Sequence, residues 1–358
     1  MPAAAAAALA APFAAALAAL SQMPCVPLSN AAAPGTCMPA IGVGTGGYTA
    51  TNPFYGSWPE NWNECIQDPT CTTPDPPGAP GVSYCQAAIS TWLTLGGRRV
   101  DTSASYRNQK GVGQAINNHR RVNRSDVFVT SKVGPYLAMG YDEVKAQVGT
   151  MLAAGGLGAY VDLVLVHWPS CAQGGGCDAN TTTPACMSGQ PSYNATLCRL
   201  RSWAALVELQ AAGTIKAIGV SNFNVAELQE FVDAGVPLPS VNQLHHNIYG
   251  RADPDVVAFC RAHSIHVQSY SPLGVPDHIT FQPPCAPTPL EDPVVLAVAA
   301  AHGMSPAQVL LAHQWAEGIS SNPRTMDALH MIEDLSAAGM ADLLSADELA
   351  QLDARPQC

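Results

Sequence analysis

Four side chains in this 358-residue chain have the types and spacing for joint acid–base chemistry: Asp101, Tyr106, Lys132 and His167. The chain holds only four lysines, Lys110, Lys132, Lys145 and Lys216, so one inside the apolar run Val127–Val133 (VFVTSKV) demands a reason. An unpaired buried ammonium is costly, and Asp101 could pair it. An ammonium beside a phenol favours the phenolate and lowers the phenol from its usual value of about 10. Tyr106 is thereby a candidate general acid near neutral pH. His167 could donate a hydrogen bond to a carbonyl oxygen and orient it. Taken singly, each residue has an ordinary alternative: a lone Asp at a strand end caps a helix, and a lone His is a satisfied core residue. Their joint meaning depends on the elements that carry them.

Those elements are legible as eight short apolar runs: Ile41–Thr45, Arg99–Thr102, Val127–Val133, Val161–His167, Ile215–Val220, Val241–Leu244, His266–Tyr270 and Ile319–Asn322. Near-continuous apolar runs indicate strands buried on both faces. Segments of helical period separate them, among them Asn108–His119, Leu200–Ala212, Ala226–Ala234 and Pro254–His263. This alternation predicts a single α/β domain, a (β/α)8 TIM barrel with Cys-rich loop insertions. A doubly wound sheet is the weaker option, because Gly42-Val-Gly44-Thr-Gly46-Gly47 lacks the dinucleotide-binding spacing. Catalytic groups of a barrel come from the C-terminal ends of its strands. The polar residues there are Asp101, Lys132, His167, Ser221 with Asn222, Gln243 and Tyr270, and Tyr106 follows Asp101 by five positions.

Composition narrows the function classes. The chain is 47% hydrophobic and 12% charged, with a net charge of −11 and no Lys or Arg in its first 97 residues. That excludes a disordered chain and argues against a nucleic-acid partner or an anionic-membrane partner. Residues 1–22 form an Ala-rich, signal-like leader, which predicts the secretory pathway or an extracellular location, with an organelle lumen as the alternative. Pro12 and the weak apolarity of alanine argue against a retained anchor. Cys65, Cys71 and Cys85 lie in one loop-like stretch, and Cys171, Cys177, Cys186 and Cys198 in another. Such clusters read as disulfide frameworks, with three pairings open to the second. Zinc is disfavoured because the closest spacing there is C-x5-C. Asn123, Asn180 and Asn194 open glycosylation sequons. A metal hydrolase built on His167, His245 and His246 is also disfavoured, since adjacent strand residues face opposite ways. No metal is expected.

The motifs resemble the aldo-keto reductase family over residues 38–353, with extra sequence near 50–84 and 170–198. The matching stretches are Asp101-Thr-Ser-Ala-Ser-Tyr106-Arg-Asn108, Thr130-Ser-Lys132-Val, Leu165-Val-His167-Trp-Pro169, Lys216-Ala-Ile-Gly-Val-Ser221-Asn222-Phe223, Asn242-Gln243 and Tyr270-Ser271-Pro-Leu273-Gly274. Leu290-Glu-Asp-Pro and Ser305-Pro-Ala-Gln-Val-Leu-Leu also match. The resemblance implies NADPH-dependent reduction of aldehydes or ketones to alcohols. Tyr106 would be the proton donor, Lys132 and Asp101 would tune it, and His167 would position the carbonyl. Ser221, Asn222 and Gln243 would hold the nicotinamide carboxamide, and Tyr270 would stack on its ring. Thr45, Ser271 and Leu273 would complete the cofactor wall, and Trp168 would line the substrate pocket.

Several positions depart from the family pattern. Where the family carries Pro-Lys-Ser for the 2′-phosphate, this chain has Pro323-Arg324-Thr325, which keeps the charge and gains a guanidinium fork. His330 replaces a later arginine and is a pH-dependent phosphate partner. Glu333 and Asp334 align with the pair near the adenine. The implied preference is NADPH over NADH by a smaller margin than usual. Leu244-His245-His246-Asn247 replaces the family's Glu and His-Pro, and the long C-terminal loop is nearly absent. Substrate choice would then rest on the two insertions, the second forming a disulfide-pinned lid. A small-molecule carbonyl substrate and a monomer are expected. The alternative is a secreted NADP(H)-binding or sensing module with little or no turnover.

Overall fold

The computed structural model describes residues 23–33, 35–46, 84–106, 108–134, 138–153, 156–170, 186, 192–274 and 288–357. The leader, Cys65, Cys71, Cys171, Cys177, Asn180 and most of both insertions lie outside them.

The apolar runs become parallel strands β3 (Val43–Gly44), β4 (Arg99–Asp101), β5 (Phe128–Val133), β6 (Val161–Val166), β7 (Ile215–Ser221), β8 (Val241–His245), β9 (His266–Tyr270) and β10 (Ser320–Asn322). They pair in chain order as one eight-stranded sheet. The sheet closes where Ile41 bridges Ser321 in parallel, with Gly42 N donating to Ser321 O at 3.0 Å and Gly44 N to Pro323 O at 2.8 Å. The (β/α)8 expectation holds. Helices follow strands as the periodicity indicated, for example α1 (Tyr84–Thr94), α2 (Gln109–Asn117), α3 (Tyr141–Leu152), α4 (Ala195–Ala211), α5 (Val225–Asp233) and α6 (Pro254–Ala262). Among the described residues no single helix is long and apolar enough to cross a membrane.

Strand side chains alternate between barrel interior and helix layer. Val100, Val129, Val164, Val166, Ile218 and Val220 pack outward into the main core, while Leu163, Leu165, Ala217 and Val241 belong to an inner core. That inner core also takes Val26, Leu28 and Met38 from an antiparallel hairpin of β1 (Cys25–Pro27) and β2 (Cys37–Pro39), tied by the Cys25–Cys37 disulfide. The hairpin plugs the mouth at the N-terminal ends of the strands. At that same end Asp162 is buried, pairing with Arg124 and Lys216 at 2.9 Å each and accepting from Val129 N at 3.0 Å. This is where Lys216, the other strand lysine, finds its carboxylate.

Two cysteine expectations resolve differently. Cys186 and Cys198 form a disulfide, one of the pairings open to the second cluster. Cys85 does not belong to a loop framework: it sits inside α1, fully buried, as a free thiol pushed above the usual thiol range by burial. The helix begins immediately after the Pro/Gly-rich stretch, so composition placed Cys85 on the wrong side of that boundary.

Candidate active site

The parallel register sets Asp101 beside Thr130, Lys132 beside Leu165, and Ser221 beside Gln243. Asp101, Lys132, Ser221, Gln243 and Tyr270 share the inward parity of their strands, so the barrel wall collects them at its C-terminal rim.

Lys132 is 1% exposed. Its ammonium pairs with Asp101 Oδ1 and donates to Thr102 O at 3.1 Å. Asp101 Oδ2 accepts from Gln243 Nε2 at 2.7 Å and from Asn322 Nδ2 at 3.2 Å. Both carboxylate oxygens are therefore answered, as a buried carboxylate requires. Burial alone would lower the Lys132 ammonium, but Asp101 and Tyr106 more than offset it and hold it above the ordinary lysine value. Lys132 stays a cation.

Tyr106 follows on a 3₁₀ turn, Ala104–Tyr106, with Lys132 Nζ 5.1 Å from its ring centroid. Gly46 lies against the ring: a Cβ there would sit 3.2 Å from Tyr106 Cζ. The phenol corrects one expectation. Burial raises it above the ordinary tyrosine value, and Asp101 adds to that; Lys132 and Arg324 pull it down without prevailing. Tyr106 therefore keeps its proton through the neutral range, and Lys132 makes it easier to release than burial alone would allow.

His167 meets Tyr106 edge-on, with centroids 5.7 Å apart. Burial and the Lys132 charge push its imidazole well below the usual histidine value, so it is neutral. Its Nδ1 lies 3.2 Å from Ser103 Oγ. Ser103 Oγ accepts from Ser105 N at 3.2 Å and contacts Ser105 Oγ at 2.9 Å. If the Ser103 hydroxyl donates to Nδ1, the imidazole proton rests on Nε2 and that nitrogen is the donor. Ser103 was not among the sequence candidates. Its only signal was position, two residues beyond Asp101 on the same loop.

The next part of the rim is held by Asn222, whose backbone is left-handed at φ 64. Asn222 Nδ2 donates to His167 O and to Ser221 Oγ, both at 3.0 Å, and its Oδ1 accepts from Tyr270 OH at 2.9 Å. Ser221 Oγ donates to Gln243 O at 2.8 Å. Gln243 Nε2 is committed to Asp101 and to Gln268 Oε1. The donors of Ser221, Asn222 and Gln243 are thus spent on one another and on the barrel, and what they still offer is acceptor oxygen. That chemistry suits the NH2 group of a primary amide. Beside it the Tyr270 ring is half-buried, fixed by its hydroxyl and met edge-on by His245 at 5.5 Å. The arrangement fits a nicotinamide carboxamide and ring. Ser271, also left-handed at φ 53, turns the chain after β9, and Leu273 packs into the core behind it. Thr45 is fully buried, its hydroxyl 3.4 Å from Asn108 Oδ1, so it braces the first strand end from within. Trp168 is partly exposed beside His167.

The residues after β10 gather around the helix Ala328–Ala337. Arg324 Nη1 donates to Gly46 O at 2.8 Å, linking the last strand end to the first. Thr325 Oγ1 lies 3.4 Å from His330 Nδ1, and His330 is exposed. Sequence reasoning overlooked Asp327, which caps this helix by accepting from Leu329 N at 2.7 Å and His330 N at 3.2 Å. Those amides hold its carboxyl below the usual aspartate value, so a fixed anion caps the helix that carries His330, two residues after Thr325. Glu333 is partly exposed; Asp334 is 2% exposed and raised well above the ordinary value, by burial first and then by Glu333. Of the other sequence candidates, His246 turns away from His245 and bonds Glu317 at 3.1 Å, as alternation required.

A family model described as the aldo/keto reductase family matches residues 78–355. Aldo-keto reductase family 1 member A1 of Bos taurus is 33% identical over 273 residues, covering 75% of this chain and 81% of that protein. Its Homo sapiens counterpart is 31% identical over the same length. Among solved structures, an aldo-keto reductase of Bombyx mori in complex with NADP superposes with a TM-score of 0.70 at 24% identity, covering 93% of this chain and 92% of that one. The aldose reductase of Schistosoma japonicum gives 0.68 at 23%, with the same coverage. The two structural matches show the fold.

The Ser103–His167 contact yields a direct test. In Ser103→Ala, the imidazole loses its Nδ1 partner, and 15N spectra of His167 should change from one tautomer to a mixture of two. A spectrum identical to wild type would mean that Ser103 does not set the tautomer.

Proposed function

We propose that this chain, which belongs to the aldo-keto reductase family, reduces aldehydes and ketones to alcohols with NADPH, Tyr106 giving the proton. The observation that carries this reading is the Lys132–Asp101 pair set against the Tyr106 ring at the barrel rim, with the His167 imidazole edge-on to that ring. Bound NADPH supplies the hydride. A carbonyl oxygen seated between Tyr106 OH and His167 Nε2 receives a hydrogen bond from each. As negative charge grows on that oxygen, the Tyr106 proton moves to it, and Lys132 stabilises the phenolate left behind. Asp101 keeps Lys132 in place and charged. His167, neutral and donating from Nε2 in this reading, orients the carbonyl and keeps its own proton.

The acceptor oxygens of Ser221, Asn222 and Gln243 support the carboxamide site, and the half-buried Tyr270 ring supports stacking. Arg324, Thr325 and His330 are the candidates for the 2′-phosphate, with Asp334 and Glu333 toward the adenine. Asp327 opposes a second anion at that place, which is the physical reason for a narrow preference for NADPH over NADH. The two disulfides among the described residues support a secretory or extracellular location. Substrates would be small carbonyl compounds and the working unit a monomer.

Purified protein assayed for NADPH oxidation against small aldehydes and ketones should turn over, and Tyr106→Phe should lower kcat by at least about a hundredfold with little change in NADPH affinity. NADPH bound without turnover by wild type would favour the binding-module alternative. Dissociation constants should favour NADPH over NADH, and Asp327→Asn should widen the gap by about three- to fivefold. A tie that Asp327→Asn leaves untouched would overturn the cofactor assignment.

A further inference from the structure

Beneath the rim the barrel interior holds a second cation that the reaction outlined above does not use. Arg99 lies two residues before Asp101 on β4 and so points the same way, into the barrel, where it is fully buried. Its Nη1 donates to Pro39 O at 2.6 Å, and its Nη2 donates to Ser321 O at 2.6 Å and to Asn322 Oδ1 at 2.8 Å. Its Nε has no partner. Gly42 makes room for it: a Cβ there would overlap Arg99 Nε and crowd Asn322 Oδ1. The guanidinium is thus seated in a place shaped for it.

The contact with Asn322 matters most. An asparagine amide can present either end to a neighbour. With Arg99 holding Oδ1, only the NH2 end can face Asp101, and Asn322 Nδ2 does so at 3.2 Å. On the other side Gln243 is oriented in the same sense, its Nε2 donating to Asp101 Oδ2 and to Gln268 Oε1, while Gln268 Nε2 reaches Met38 Sδ at 3.3 Å. A polar chain thus crosses the barrel from Arg99 to Asp101 and on to the floor hairpin. The titratable groups facing this layer are Arg99 and Asp101 from β4, Lys132 from β5, Tyr106 from the following turn and His266 from β9. Burial lowers the Arg99 guanidinium to about 9, against the pull of Asp101, so it remains a cation at neutral pH. Burial, and then the charge of Arg99, drive His266 down to about 3, leaving it neutral.

We propose that Arg99 is a positioning residue for the reaction: by fixing the Asn322 amide it holds the Asp101 carboxylate square to Lys132. This rests on Tyr106 being the proton donor, as proposed above.

The test uses the full chain, labelled with 15N-lysine, in which Lys132 is one of four lysines. Arg99→Met, Arg99→Lys and Asn322→Leu are compared with wild type for the Lys132 ammonium signal, kcat at neutral pH and NADPH affinity. Arg99→Met should speed exchange of the Lys132 ammonium protons with water and lower kcat, each about tenfold, the scale expected for coupled network members. NADPH affinity should stay within about twofold, since Arg99 does not reach the rim. Arg99→Lys should recover part of both losses. Asn322→Leu leaves Arg99 its two backbone carbonyls and should reproduce the loss; should Arg99→Met fail to fold, this variant decides. Folded variants with the wild-type Lys132 signal and kcat would overturn the proposal. A Lys132 signal that responds as expected in a protein that reduces no carbonyl would sustain the structural link from Arg99 to Lys132 and overturn the reductase reading, and with it the role in the reaction.

Discussion

Lys132 is a cation in a barrel wall where water does not reach, and the rim is organised around making that tolerable. An ammonium 1% exposed is costly unless paired. Asp101 pairs it, but Asp101 is itself buried and must be answered in turn. Gln243, Asn322 and the Thr102 carbonyl complete the set, and beyond them Gln268 and Arg99. One strand pairing fixes the geometry: β4 beside β5, with both inward-facing residues at the same rim. A slip of one residue in either strand would turn its polar side chain into the helix layer and leave its partner as an unpaired charge.

The same arrangement explains why three titratable groups take complementary states. Burial acts on all of them, and each responds in the direction of its neutral form. Tyr106 keeps its proton and His167 stays a neutral imidazole with a single ring proton; only Lys132, with a carboxylate against it, stays charged. The result is a protonated phenol, a neutral imidazole and an ammonium in one small volume, the three groups that the proposed reduction uses.

Much of this was legible in the sequence, for identifiable reasons. Strand positions followed from apolar runs such as Val161–Val166, because a two-sided buried strand tolerates almost nothing else. Asp101, Lys132 and His167 followed from being polar at the ends of such runs, and Tyr106 from its place five residues past Asp101. What was missed lay inside the barrel. Of the adjacent pair Arg98 and Arg99, one faces outward and one is fully buried, and only the shared parity with Asp101 distinguishes them. Asn322 and Gln268 read as ordinary strand residues, since an interior amide has no local signature until its partners are known. The direction of the Tyr106 shift was misjudged because pairwise reasoning saw the lysine but not the burial. Asp327 was overlooked since a helix cap is a routine use of aspartate, and its neighbours give it its further consequence.

The central claim is that Asp101 and Lys132 act on Tyr106 as a unit, and a double-mutant cycle on carbonyl reduction tests it most directly. Asp101→Asn, Lys132→Met and the combined variant would be compared by kcat/KM with one good aldehyde. Each single change should remove most of the activity, and the double should be no worse than the weaker single, because either change already dismantles the pair. Losses that multiply in the double variant would show two independent contributions and contradict this account.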